Sequence, residues 1–303
     1  MGSIKLIVYI LISGLLVQCA RSQNGGNENG SDDSLSIAQH EHRDVIGANA
    51  KGKLFIIGGG SRPAKMMKNL VDLALSEGGY ALVLTLSSAQ PDTSFHYVAK
   101  QLSAHTSLPV IHIDSARVAE FPTDSLANAA LIYITGGNQN RFFDAVTEPC
   151  LSAIYRGYIH GTVVAGTSAG AAMMGEIMIT GDQYFHSEYQ STFGRLLYNN
   201  GVYTKGLGLL DSVIVDQHFV ARSRYNRILS AMADTKYPYA VGIEESTALV
   251  VNRDSCAVVG DGQVLVFSRP EAFFEKNGRI GFKRMTINAY LPGMGFKFNS
   301  DEK

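Results

Sequence analysis

Residues 162–171 read Thr-Val-Val-Ala-Gly-Thr-Ser-Ala-Gly-Ala, an apolar run that leads into a G-x-S-x-G motif. The run predicts a buried strand, and the alanines and methionines that follow it predict a helix. Small residues around Ser168 allow a tight turn from strand to helix, which would lift the hydroxyl clear of the backbone as a nucleophile. A glycine-rich turn without any chemistry has the same pattern. The partners of Ser168 elsewhere in the chain therefore decide between the two interpretations.

Upstream of this motif, short apolar runs alternate with segments of helical spacing. Strands are predicted at 54–57, 80–86, 110–113 and 131–134, and a helix at 145–159 with a break at Pro149. Strands that are apolar on both faces and alternate with helices predict an α/β fold with a mostly parallel central sheet, covered on both sides. Such sheets place their sites at the carboxyl ends of the strands. Ser168, the glycine turn 58–60 and the turn 135–138 all follow such ends.

The C-terminal part has a different pattern, in which short strands follow one another: they are predicted at 241–245, 248–252, 264–267 and 282–287. These strands are expected to add antiparallel pieces to the sheet. No linker separates them from the rest, so we predict a single domain over residues 51–303.

The N-terminal residues predict export. An apolar stretch at 6–17, preceded by Lys5, is too short to span a bilayer but suits a secretory signal over residues 1–22. Cleavage before Cys19 would give a lipid-anchored protein, whereas cleavage after Ser22 would give a free one. Residues 23–50 are rich in Asn, Gly, Ser and acidic residues and predict a flexible leader. We therefore expect a periplasmic, cell-surface or extracellular protein, with Cys19 as its only membrane contact.

Composition narrows the function classes. The formal net charge is −1, so no broad nucleic-acid surface is expected. Cys150 and Cys256 could form a disulfide in an exported protein, but their apolar surroundings favour two buried thiols. The spacings typical of zinc sites are absent from the sequence, and we predict no metal and no cofactor.

A serine nucleophile needs a base and a carboxylate that orients the base. Of the eight histidines, His218 is the best candidate, because it follows the apolar run 209–215 at another predicted strand end. Glu244 and Glu245 follow a further strand, and alternation places one inward and one outward without saying which. The order serine, histidine, acid differs from that of the α/β-hydrolases, in which the acid precedes the histidine.

Three arginines follow His218 where a helix is expected to begin. Cations at a helix N-terminus oppose its dipole, so this cluster suggests an anionic ligand group. The three are Arg222, Arg224 and Arg227. They do not share one helical face, so at most two of them can point inward.

Together these blocks resemble the cyanophycinases, serine peptidases related to the dipeptidase E group. The resemblance rests on four segments, of which Asp-Gln-His-Phe followed by R-x-R-x-x-R is the most specific: 135–139, 166–171, 216–227 and 242–248. It implies a three-layer sandwich of the class I glutamine-amidotransferase-like, flavodoxin-like type, usually dimeric. It also implies hydrolysis of cyanophycin, a poly-aspartate chain with arginine on each side chain, to β-aspartyl-arginine dipeptides.

The resemblance also assigns roles to residues. It implies Ser168 as nucleophile, His218 as base and Glu245 as the third member. The oxyanion hole would comprise Gly137, Asn138 and Ala169. Asn138 departs from the family, where many members carry Asp. The substrate groove would be lined by Gln139, Asp216, Gln217, Arg222, Arg224 and Arg227.

Two other functions remain open at this point. The same scaffold could serve an aspartyl or isoaspartyl dipeptidase, and a surface lipoprotein could retain the scaffold to bind ligands without catalysis. The segment 181–203 is longer than a compact family member needs, and we expect it to be a loop over the site that affects access.

Overall fold

The computed structural model describes residues 50–186, 188–268 and 270–298. The predicted signal over residues 1–22, the anchor at Cys19 and the leader up to residue 49 lie outside the described residues. Within them, no helix is both long and apolar enough to cross a bilayer.

Helices and strands alternate in the first half of the described chain. The strands there are β1 (Lys53–Ile57), β2 (Ala81–Leu84), β3 (Val110–Ile113), β4 (Leu131–Ile134) and β5 (Val163–Thr167). The helices there are α1 (Ala64–Leu75), α2 (Pro91–Ser103), α3 (Thr123–Ala127), α4 (Gln139–Ala145), α5 (Glu148–His160) and α6 (Ala169–Ala172).

Strands dominate the second half. They are β6 (Ile177–Gln183), β7 (Gly201–Lys205), β8 (Val213–Gln217), β9 (Tyr239–Ile243), β10 (Thr247–Asn252), β11 (Ser255–Gly260), β12 (Val264–Ser268), β13 (Ala272–Lys276), β14 (Arg279–Lys283), β15 (Thr286–Tyr290) and β16 (Gly295–Lys297). Helix α7 (Tyr225–Thr235) connects β8 to β9.

The main sheet contains eight strands in the order β16-β11-β10-β1-β5-β4-β2-β3. Strands β1 to β5 are parallel, and β10, β11 and β16 extend the sheet as antiparallel strands beyond β1. Ile57 pairs with Thr167, so β1 and β5 end side by side, next to Ser168. The predicted α/β class, with a mostly parallel sheet and antiparallel C-terminal strands, is confirmed.

A second sheet, in the order β15-β12-β9-β8, departs from the expectation of a single sheet. β8 pairs in parallel with β9, and β9 pairs with β12 in the antiparallel sense. The strand that precedes His218 is therefore not part of the main sheet. Periodicity predicts that a strand is buried, but its sheet is decided by long-range pairing.

Alternation along the strands divides the core into layers. On one face of the main sheet, Phe55 and Ile57 pack with α1, which contributes Met66 and Leu70. The opposite-facing residues of the same strands pack with α5 and with one face of the second sheet. The other face of the second sheet packs against α7, through residues such as Ile228. The carboxyl ends of β1, β5, β8 and β9 are thereby brought together.

Two local predictions were wrong. Pro149 does not break a helix: α4 ends at Ala145, and Pro149 lies in the first turn of α5, where a missing N–H costs nothing. The segment 282–287 is not one strand, because β14 ends at Lys283 and β15 begins at Thr286 in a different sheet.

Both cysteines in the described residues are buried free thiols. Burial raises the pKa of Cys150 and of Cys256 to about 12. The structure thus agrees with the interpretation as two buried thiols rather than with a disulfide.

Candidate active site

Ser168 lies at the turn between β5 and α6, in a backbone conformation that side-chain-bearing residues seldom adopt. Its φ is 53° and its ψ is −110°. The turn is tight, since a β-carbon on Gly166 would come within 2.3 Å of the Gly170 carbonyl oxygen. The glycines of G-x-S-x-G are therefore required by close packing, and the turn presents the serine side chain at the end of the sheet.

A chain of two hydrogen bonds joins Ser168, His218 and Glu245. Ser168 Oγ lies 2.9 Å from His218 Nε2, and His218 Nδ1 lies 2.5 Å from Glu245 Oε1. Glu244 points elsewhere, and its Oε2 accepts a hydrogen bond from the Gln263 N–H at 3.2 Å. The structure thus places Glu245, and not Glu244, against the histidine. The arrangement is that of a nucleophile, a base and an orienting acid.

The end of β1 and the glycine turn after it hold in place the three segments that carry Ser168, His218 and Glu245. The carbonyl oxygens of Ile57, Gly58 and Gly59 accept hydrogen bonds from three N–H groups in turn. Their donors are Ser168 at 3.1 Å, His218 at 2.7 Å and Ser246, the neighbour of Glu245, at 2.9 Å. The sequence predicted a glycine turn at a strand end, but nothing in its pattern indicated that the turn connects the three segments.

The surroundings of His218 favour its neutral form. Burial lowers its pKa, while the hydrogen bond to Glu245 opposes that change. With Nδ1–H donating to the carboxylate, the unprotonated Nε2 can accept the Ser168 hydroxyl proton. The site is therefore arranged for general-base chemistry near neutral pH.

The predicted oxyanion donors differ in their availability. The N–H of Asn138 donates to the Ser87 carbonyl oxygen at 2.9 Å, and its side chain caps α4 by accepting from Asn140. The backbone N–H groups of Gly137 and Ala169 have no hydrogen-bond acceptor among the residues that the structure describes. These two groups, rather than that of Asn138, are free to meet a developing negative charge.

The polar residues expected in the substrate groove form, for the most part, a buried network. Asp216 is fully buried; both nitrogens of one Arg227 edge donate to its carboxylate, and Arg224 lies 3.4 Å away. Arg224 also donates to Gln217, at 2.8 Å to its carbonyl and 3.0 Å to its side chain. Gln139 is buried as well, and its amide donates to two backbone carbonyls of β6.

Four of the six residues expected in the groove are buried. Gln139, Asp216, Gln217 and Arg224 satisfy one another or the backbone instead of facing solvent, because buried charges and amides need partners. Arg222 is the exposed member of the arginine cluster. The prediction that at most two of the arginines point inward agrees with this arrangement.

The segment between β6 and β7 packs against the residues that follow His218. Tyr189 Oη lies 3.0 Å from the carbonyl oxygen of Ser223 and 2.9 Å from Asn226 Oδ1, so that its single O–H is shared between these two acceptors. Thr192 contacts Ser223 through both backbone and side chain. This segment therefore forms one border of the site region, as a loop anchored to the start of α7.

The open cleft at Ser168 and His218 has a different lining from the one predicted. Its volume is about 370 Å³, and its walls come from the turn after β1 and from the start of α2. The lining residues that sequence reasoning missed are Arg62, Thr93, Ser94 and Tyr97. They follow the carboxyl ends of β1 and β2, and this position was the only signal that could have found them.

One group of metal-ligand type exists among the described residues. Asp92, His112 and Asp114 place one possible ligand atom each within 4.8 Å of one another. The Arg117 guanidinium already occupies this position, since it donates to His112 Nδ1 at 3.2 Å and to Asp114 at 3.0 Å. A cation would have to displace that arginine, so the group does not suit a metal.

Comparison with known proteins identifies the family. Residues 54–259 match the family model described as Peptidase family S51. The chain belongs to peptidase family S51. A crystal structure of a peptidase from an acI-B1 Actinobacterium aligns with a TM-score of 0.60 and 20% identity, over 82% of this chain and 98% of that one. That likeness shows that the S51 chain shares its fold.

Curated relatives of this S51 chain are named cyanophycinases. The protein of Trichormus variabilis is 34% identical over 160 residues, which cover 52% of this chain and 51% of the relative. That of Synechococcus elongatus is 28% identical over 244 residues, 77% of this chain and 72% of the relative. The chain thus spans about half the length of the first relatives that it matches. The resemblance to the cyanophycinases is confirmed at the level of the family.

Proposed function

We propose that this protein is a serine exopeptidase that hydrolyses cyanophycin to β-aspartyl-arginine dipeptides. The observation that carries the proposal is the hydrogen-bonded chain from Ser168 through His218 to Glu245 at an open cleft. Membership of peptidase family S51 and relatives named cyanophycinase support it.

The reaction would proceed through an acyl-enzyme. His218 Nε2 takes the proton of the Ser168 hydroxyl while Oγ attacks the scissile carbonyl carbon. The oxyanion that forms accepts hydrogen bonds from the N–H groups of Gly137 and Ala169, each worth roughly 3–4 kcal/mol in comparable sites. His218 then gives its proton to the leaving amine, and the C–N bond breaks. A water molecule, deprotonated by His218, hydrolyses the ester and restores the serine.

Glu245 would act on the histidine rather than on the substrate. Its carboxylate holds the Nδ1–H tautomer and stabilises the imidazolium that forms when the serine proton is transferred. Arg222 is available to substrate at the site's edge, because it is exposed, whereas Asp216 and Arg224 would support the site from beneath.

Product analysis tests this function. Purified full-length protein is incubated with cyanophycin, and the products are identified by mass spectrometry, with Ser168→Ala as the control. We expect β-aspartyl-arginine from the wild type and none from the variant. Cleavage of short aspartyl peptides alone would favour the dipeptidase function. No cleavage, together with no labelling of Ser168 by a serine-directed phosphonate, would favour a binding protein.

We further propose that the protein is exported and acts as a homodimer. The signal-like residues 1–22 support export, with Cys19 as the lipid attachment point if cleavage precedes it. The dimer rests on the resemblance to the cyanophycinases. Mass spectrometry of the mature N-terminus distinguishes a lipidated Cys19 from a free end at residue 23, and light scattering measures the oligomeric state.

A further inference from the structure

Arg62 is a fixed cation for which the described residues provide no counter-ion. Its Nε donates to Gln101 Oε1 at 2.7 Å, Nη1 donates to Tyr133 Oη at 3.2 Å, and the guanidinium carbon lies 4.6 Å from the centre of the Tyr97 ring. Across residues 50–186, 188–268 and 270–298, no carboxylate oxygen lies within 4.0 Å of its nitrogens. Three neutral side chains thus hold the guanidinium in one orientation.

Tyr133, which holds the Arg62 guanidinium, also contacts Thr167, the residue before Ser168. Tyr133 is fully buried, and burial raises the pKa of its hydroxyl, while Arg62 and the side chain of Thr167 oppose that rise. The same hydroxyl therefore contacts both the arginine and the residue next to Ser168. Arg62 is tied to the catalytic turn and is not a loose surface side chain.

Arg62 belongs to the wall of the cleft in which the reaction would take place. Arg62 and Tyr97 line the cleft that contains Ser168 and His218. A guanidinium has five N–H donors, and Gln101 and Tyr133 use two of them. The second Nη1–H and both Nη2–H groups remain, which are enough for a bidentate contact with a carboxylate. Holding a partly buried cation unpaired has a cost in desolvation, and a bound anion would offset that cost.

We propose that Arg62 recognises a carboxylate of the peptide substrate within the Ser168 cleft, with Tyr97 and Gln101 as its positioning residues. This inference rests on the proposed peptidase function, for which Arg62 is a specificity determinant rather than part of the proton-transfer chain. Two sources have this chemistry in a β-aspartyl-arginine unit: the α-carboxylate of the arginine branch, and the main-chain carboxylate of a terminal aspartyl residue.

A binding experiment tests the inference without turnover. Calorimetric titrations on the Ser168→Ala protein compare β-aspartyl-arginine with two mono-amides, one at the arginine carboxylate and one at the aspartyl α-carboxylate. We expect the dipeptide to bind about 10- to 100-fold more tightly than one of the two mono-amides. The mono-amide that loses affinity identifies the carboxylate that Arg62 binds.

Substitution of Arg62 should remove that discrimination. In Ser168→Ala/Arg62→Gln the dipeptide and both mono-amides should bind within about threefold of one another, and Arg62→Lys should recover part of the difference, because lysine keeps the charge but loses the fork. Arg156→Gln is the matched control, since Arg156 is exposed on α5 and pairs with Asp124. It should bind like the parent protein.

The outcomes separate this inference from the proposed function. The role of Arg62 is overturned if the parent protein binds the dipeptide no more tightly than either mono-amide. It is also overturned if Arg62→Gln keeps the parent's preference for the dipeptide. If the wild type does not hydrolyse cyanophycin, the proposed function is overturned instead. If both hold, Arg62→Gln should raise KM for cyanophycin more than it lowers kcat.

Discussion

The imidazole of His218 occupies the space that a side chain on Gly59 would need. A β-carbon at position 59 would come within 2.3 Å of His218 Cε1 and 2.4 Å of Nε2. Nε2 is the atom that faces Ser168, so the absence of a side chain at Gly59 is a condition for the position of the base. The φ of Gly59 is +102°, which also excludes most other residues.

Gly59→Ala should therefore inactivate the protein through geometry. The added methyl group would push the ring away from Ser168 Oγ, and a displacement of about 1 Å can cost about 100-fold in rate. The measurement is kcat with cyanophycin, together with Tm. Gly208→Ala is the control, since Gly208 has a φ of +65° but no neighbour within 4 Å of a β-carbon. Equal activity of the two variants would contradict this assignment.

Replacing each of the adjacent glutamates separates their roles. Glu245→Gln should lower kcat by roughly 100- to 10,000-fold, because a neutral amide neither enforces the tautomer nor stabilises the imidazolium. Glu244→Gln should stay within about threefold of the wild type, since the one side-chain hydrogen bond of Glu244 among the described residues is that from the Gln263 N–H. The test is steady-state kinetics on both variants, and a reversed order of effects would make Glu244 the third member.

The pH dependence should reflect the neutral form of His218. Burial lowers its pKa below the ordinary histidine value of 6.5, so the free enzyme keeps its base unprotonated into weakly acidic solution. Protonation at lower pH removes the acceptor for the serine proton, and kcat/KM should fall with a midpoint below pH 6.5. The measurement is kcat/KM between about pH 4 and 9, a range that includes the usual histidine pKa values. A midpoint above 6.5 would show that the Glu245 contact outweighs burial.

The buried carboxylate of Asp216 should matter mainly for stability. Asp216→Asn would leave two partly desolvated guanidinium groups without their counter-ion, at a cost of about 3–5 kcal/mol in the free energy of unfolding. Urea unfolding followed by circular dichroism measures the change. Arg222→Gln should alter stability by less than about 0.5 kcal/mol, because Arg222 is exposed. A stable Asp216→Asn protein that has lost substrate binding would assign Asp216 to substrate contact instead.

Local patterns were sufficient to predict the order of strands β1 to β5 and the positions of Ser168 and His218 at strand ends. Each of these depends on residues close together in the chain: an apolar run, a glycine turn, a change to helical spacing. Such signals survive folding because the backbone geometry they specify is local. For this reason the α/β class could be predicted before any contact was known.

The unpredicted features depend on contacts between distant segments. Alternation shows that Glu244 and Glu245 point in opposite directions, but the inward side is decided by where β9 lies relative to β8 and β12. Arg224 is buried because Asp216 and Gln217 lie beneath it. Arg62 reaches the cleft only because α1 and α2 pack on the same face of the main sheet, and sequence spacing contains no information on that packing.

The three residues of the hydrogen-bonded chain come from two sheets. Ser168 follows β5 of the eight-stranded sheet, whereas His218 and Glu245 follow β8 and β9 of the four-stranded sheet. Turnover can thus serve as a reporter of tertiary assembly. A refolding chain that has formed both sheets but not docked them would have its secondary structure and no working base. Recovery of activity should then lag behind recovery of the circular dichroism signal, and the interval would measure the docking step alone.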